Sequence, residues 1–90
     1  VESMITQNQI HLYKKYHGDV DFFARSASAK EKAIISDNQW SEIDQLLQDL
    51  LIASRGLASD DFKRTLQRRL DLLCDSPETV EILKAMSKAP

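Results

Sequence analysis

The chain has 90 residues, of which 42% are hydrophobic and 29% charged. That balance suits one small folded domain spanning residues 1–90 and excludes disorder along the whole length. A formal net charge of -2 gives no overall pull toward nucleic acid or anionic lipid, so either ligand would need a local basic patch. The lone cysteine, Cys74, excludes an intramolecular disulfide and fits a reducing compartment. The apolar run Leu50-Leu51-Ile52-Ala53 is far shorter than the ~20 residues of a membrane span. A cytoplasmic protein is expected, with Val1-Glu2-Ser3 read as an expression scar ahead of Met4.

The segment Ile5-Thr6-Gln7-Asn8-Gln9-Ile10 carries a capping box inside an apolar pair. Thr6 can accept the Gln9 amide, Gln9 can return a bond, and Ile5 can close on Ile10 as a hydrophobic staple. The helix it starts is predicted from Thr6 to His17. At 100° per residue, Ile10, Leu12, Tyr13, Tyr16 and His17 share one side, with His11, Lys14 and Lys15 opposite. Gly18 can take the left-handed position after the helix, and Asp19 can cap a second one beginning Val20-Asp21-Phe22-Phe23. The stripe Val20, Phe23, Ala27, Ile34 would suit a single helix to Ile35, but Ser28 and Glu31 form another capping box. A break near Ser26 to Ser28 is favoured.

The segment Ile35-Ser36-Asp37-Asn38-Gln39-Trp40 repeats the first box and opens a helix predicted from Asp37 to Arg55. Trp40, Ile43, Leu47, Leu50 and Leu57 step along it by threes and fours with Ser54 between the last two, widened by Leu46 and Leu51. The opposite face carries Ser41, Glu42, Gln45, Gln48 and Asp49, with Ile52 as its one apolar member. This stripe is too short for a free coiled coil and reads as the central helix of a bundle. Gly56 ends it. Ser59 then caps a helix with Phe62, Leu66, Leu70 and Leu73 on its core side, and Ser76-Pro77-Glu78 opens the last, carrying Val80, Leu83 and Met86. Residues 87–90 are expected to fray. The expected fold is all-α, a compact bundle of four to five short helices. Trp40, Ile43, Leu47, Leu50, Phe62, Leu66, Leu73 and Leu83 form the expected core.

The basic cluster Lys63, Arg64, Arg68, Arg69 follows a Gly-containing turn, as a DNA-reading helix would. Chemistry argues against that use, because Asp60 and Asp61 occupy its first turn and Asp71 and Asp75 its end. Pairing of Asp60 with Arg64 and of Arg68 with Asp71 would make it a solvated, self-paired face. Arg69 projects between Leu72 and Phe62, which suits either a carboxylate partner or an interface contact. A second cluster is the elbow Tyr13, Tyr16, His17, Gly18, Asp19, Asp21, Arg25, which could line a small polar pocket. Each of its members also has a structural use: tyrosines in the core with hydroxyls at the rim, His17 at a helix C-terminus, Asp19 as a cap and Asp21 paired with Arg25.

No metal-ligand spacing is present, since His11 and His17 lie about 240° apart on the helix and Cys74 has no paired cysteine or histidine. Cys74 beside Leu73 reads as a small core residue, and phosphate loops and nucleophile elbows are absent. Neither catalysis nor a cofactor is therefore expected. Apolar residues left over from the stripes point instead to protein binding, through another protein or a second copy of the chain as a homodimer. Ile52, Arg55, Thr65, Arg69 and Leu72 are the candidate contact residues. A nucleic-acid regulator using Lys63, Arg64 and Arg68 is the runner-up. A ligand carrier or enzyme using Tyr13, His17, Asp21 and Arg25 comes third.

Overall fold

The computed structural model describes residues 4–88, so Val1-Glu2-Ser3 and the last two residues lie outside what is described. Among the described residues six α-helices follow one another: α1 Gln7–Lys15, α2 Val20–Ser26, α3 Ala29–Ile34, α4 Asp37–Ser54, α5 Asp60–Leu73 and α6 Pro77–Lys88. The all-α class is as the periodicity implied. The count exceeds four to five because the chain breaks where Ser28 competes with the helix. Ala27 and Ser28 are extended, Ser28 Oγ accepts the Glu31 amide, and Glu31 bonds back to the Ser28 amide.

Both glycine-marked helix ends are Schellman turns, in which two amides satisfy carbonyls of the last turn. After α1, the His17 amide donates to Lys14 O at 3.1 Å and the Gly18 amide to Tyr13 O at 2.9 Å. The left-handed position therefore begins at His17 (φ 58), one residue before Gly18 (φ 70), and α1 stops at Lys15 rather than His17. After α4, Gly56 (φ 74) takes the equivalent place, and the Leu57 amide returns to Ile52 O at 3.3 Å. The chain reverses there, so Leu57 leaves the apolar stripe that the sequence assigned it and stands 74% exposed. At the other end, α6 runs through Ser87 and Lys88 rather than fraying, and Ser87 Oγ donates to Lys84 O at 2.7 Å.

The helix α4 is central, packing foremost on α6 and next on α5. Of the expected core, Trp40, Ile43, Leu50, Leu66 and Leu83 are buried, while Leu47, Phe62 and Leu73 are half-buried and pack against it. Ile5, Ile10, Leu12, Tyr16, Phe23, Ile35, Leu46, Leu70, Cys74 and Val80 complete it. The chain ahead of α1 is held to the α5–α6 turn by backbone bonds. The Ile5 amide donates to Leu73 O at 2.8 Å and the Asp75 amide to Ile5 O at 2.9 Å.

The two fullest capping boxes touch each other. Gln9, only 3% exposed, closes the box with Thr6 and sends its Nε2 to Ile34 O at 2.9 Å and to Gln39 Oε1 at 3.0 Å. Gln39 is the acceptor of the second box, taking the Ser36 amide at 3.1 Å. One buried amide side chain thus joins the starts of α1 and α4 to the end of α3. Behind it runs an aromatic chain with ring centroids 5.0 Å apart for Tyr13–Trp40, 4.8 Å for Phe23–Trp40 and 5.2 Å for Tyr16–Phe23.

Candidate functional site

The flank shared by α4 and α5 is organised by an ion pair. Arg69 Nη1 donates to Asp49 Oδ2 at 2.8 Å, and Gln45 Nε2 donates to Asp49 Oδ1 at 3.1 Å. Asp49 is 7% exposed, which corrects its place on the solvent face. The buried arc of α4 is wider than one stripe because α5 and α6 cover it from two sides. Of the two roles open to Arg69, the carboxylate partner is the one observed. A side chain half in water can pair here at modest desolvation cost, whereas removing either partner would strand a charge.

The short connection between α4 and α5 makes them antiparallel neighbours. With Asp49 set against Arg69, the turn bearing Ile52 and the turn bearing Thr65 lie toward one end, and Leu72 lies one turn past Arg69 toward the other. Ile52 is 41% exposed and Leu72 69%, and Thr65 is exposed. Arg55 caps α4, its amide donating to Leu51 O at 3.1 Å, while its side chain has no ion pair among the described residues. Leu57, beside this end of the flank, is a further exposed apolar residue. The stripe count missed it by extending the period past Gly56.

The basic cluster is less free than its composition suggests. Arg64 pairs with Asp61 rather than with Asp60, the two spacings being equally close on a helix surface. The expected Arg68–Asp71 pair does not form; Asp71 Oδ1 accepts Gln67 Nε2 at 3.0 Å. Arg69 is turned away to Asp49. Lys63 and Arg68 alone in the cluster keep no ion pair, on a helix whose first turn carries Asp60 and Asp61.

No family model, curated protein or solved structure matches the chain. Its surface has to be read from geometry.

The elbow is filled by its own side chains. Tyr13 donates its hydroxyl to Asp44, and burial together with that carboxylate pushes the phenol well above its ordinary pKa. Gly18 lies against the same ring, where an added Cβ would stand 2.9 Å from the Tyr13 oxygen. Asp19 Oδ1 accepts the Asp21 and Phe22 amides at 3.0 and 3.1 Å. Arg25 Nε donates at 3.2 Å to the backbone oxygen of Asp21, not to its carboxylate, since that oxygen lies one helical turn back along α2. His17 is exposed. Clefts do mark the surface, but they are lined by other residues at the α3–α4 junction, the α1–α6 groove and the turn around Cys74.

Beside the elbow, Glu31 gathers bonds that its sequence position did not announce. Its carboxylate accepts Lys15 Nζ at 2.8 Å, Tyr16 Oη at 2.8 Å and the Ser28 amide at 3.1 Å. The Lys15 ammonium first, then the Ser28 amide and the Tyr16 hydroxyl, hold its pKa down at about 2. This is a clasp between α1 and α3. Cys74 is buried, and burial with Asp75 and Asp71 nearby pushes its thiol up to about 11, so little of the nucleophilic thiolate exists near neutral pH. No three His, Cys, Asp or Glu side chains gather as metal ligands among the described residues. No described helix is long and apolar enough to cross a membrane.

Proposed function

We propose that the protein is a small cytoplasmic interaction module that presents the α4–α5 flank to a partner protein. The observation carrying this reading is the exposure of Ile52, Leu57 and Leu72, at 41%, 74% and 69%, beside an ion pair that holds α4 and α5 in register. Exposed apolar residues grouped on one flank mark a surface that a partner can cover. Arg55 and Arg68 border the flank without ion pairs among the described residues. The partner is accordingly an apolar helical ridge edged by carboxylates, with Thr65 and Arg69 within its footprint. Catalysis, a bound cofactor and nucleic acid have no comparable support, given a filled elbow and acids at the start of the basic helix.

Affinity capture of tagged protein from the source lysate, with and without nuclease, tests the reading. It compares the native chain with Ile52→Glu, Leu72→Glu and the remote exposed control Lys30→Glu. The expected result is a stoichiometric, nuclease-resistant protein retained by the native chain and Lys30→Glu but lost with both flank variants, all four remaining helical by circular dichroism. Equal capture by all four, or recovery of bait alone, overturns it. A nuclease-sensitive partner would favour the basic face of α5.

A further inference from the structure

The groove between α1 and α6 lies on other helices than the proposed flank and has a polarity of its own. Gln7 lines it with Pro77, Glu78, Glu81 and Ile82, and Lys14 lines it with Ile82, Ala85 and Met86. The starts of both helices therefore lie together and the two run in the same direction. The Ile5 to Cys74 bridge, which ties their N-terminal ends, agrees. Ile82 stands at the middle of the groove, half-buried with Met86, while Glu78, Glu81, Ala85 and Lys14 are exposed. The floor is apolar over roughly 13 Å, the rise from Pro77 to Met86. One mouth is acidic, from Glu78 and Glu81, and the other basic, from Lys14. None of these three charges takes part in an ion pair among the described residues.

We infer that this groove is covered by a second copy of the chain, related by a two-fold axis near Ile82. A two-fold contact is isologous, so each feature meets the one across the axis. Here the axis sets Ile82 on its counterpart and brings the acidic mouth of each copy to the basic mouth of the other, Glu78 opposite Lys14. A groove with like charges at both mouths would repel its own copy; this one is self-complementary. The contact is small, and a reversible dimer with a Kd on the order of 10–100 µM is expected.

Sedimentation velocity from about 5 µM to 1 mM reads the outcome. The native chain should pass from monomer to dimer, less readily as salt rises. Lys14→Glu and Glu78→Lys, both at exposed positions, should each weaken the dimer by at least about fivefold. An equimolar mixture of these two variants should dimerise as the native chain does, because a mixed pair restores opposite charge at both mouths. Ile82→Glu should be monomeric throughout. A native chain that stays monomeric to 1 mM overturns the inference, as does a mixture that sediments as the sum of its parts. Neither result bears on the α4–α5 flank, whose test uses other residues.

Discussion

Two regions of the molecule are held by different physics. Where α1, α3 and the start of α4 meet, the helices are short, and α3 buries no residue at all. Isolated helices so short do not persist in water, and here they pack through Ile10, Leu12, Tyr16 and Trp40. Directional bonds add to that packing: Gln9 to Ile34 and Gln39, Tyr16 and Lys15 to Glu31, Tyr13 to Asp44. Where α4, α5 and α6 meet, longer helices bury Ile43, Leu46, Leu66, Leu70, Val80 and Leu83, and the Asp49–Arg69 pair is the one ion pair between described helices there. The aliphatic region has apolar residues to spare, and both surfaces proposed for binding include its helices.

The contrast breaks first at its aliphatic end. Leu83, fully buried between helices, should cost about 2–5 kcal/mol as Leu83→Ala, read by urea denaturation, through lost transfer energy and the cavity left behind. A loss under 1 kcal/mol would mean that α6 is not the principal support of α4. The glycines give the next test. Gly18 and Gly56 have nearly the same left-handed φ, 70 and 74, but a Cβ would meet Tyr13 at Gly18 and nothing within 4 Å at Gly56. Gly56→Ala should cost about 1 kcal/mol of backbone strain. Gly18→Ala should cost about 2–3 kcal/mol because Tyr13 must also move off Asp44. Equal costs would show that the Tyr13 contact adds nothing.

The same division explains what the sequence made legible. Capping boxes are local chemistry, and Thr6, Ser28 and Ser36 cap where their spacing said they would. That Gln9 of one box bonds Gln39 of another across 30 positions is tertiary, and nothing in either hexapeptide carries it. Glu31 was visible as a cap residue but not as the acceptor of Lys15 and Tyr16, for the same reason. On α4, the polar neighbours Gln45 and Gln48 made Asp49 look solvent-facing, since a one-stripe wheel has no place for a helix covered from two sides. Leu57 failed because the periodicity was carried through a chain reversal. Ile52 and Leu72 were legible as surplus, and Arg69 as a cation set among apolar neighbours.

Gln9→Ala addresses the polar region directly. It removes three side-chain bonds, to the Thr6 amide, Ile34 O and Gln39 Oε1, at a buried position and should cost about 1–3 kcal/mol. Hydrogen exchange should report it mainly as lost protection in α1 and α3, with α4, α5 and α6 opening only with the global transition. Uniform loss across all helices would erase the distinction between the two regions.

The smallest effect expected is the acid response of Glu31, because Lys15 is 59% exposed and water screens the pair. The carboxyl has its pKa lowered from 4.5 to about 2 by Lys15, Ser28 and Tyr16. A lowered folded-state pKa means that the unfolded chain binds the proton first on acidification. The clasp therefore contributes fully above about pH 4.5 and is lost as the pH falls toward 2. Protection of the α3 amides should decline through that window while that of α6 holds. Glu31→Gln keeps acceptors for Tyr16 and Ser28 but has no charge to lose, so its α3 protection should be lower at neutral pH and flat through the window. If α3 and α6 instead lose protection together in the native chain, the acid response belongs to global unfolding, and the clasp is not what ties α3 to α1.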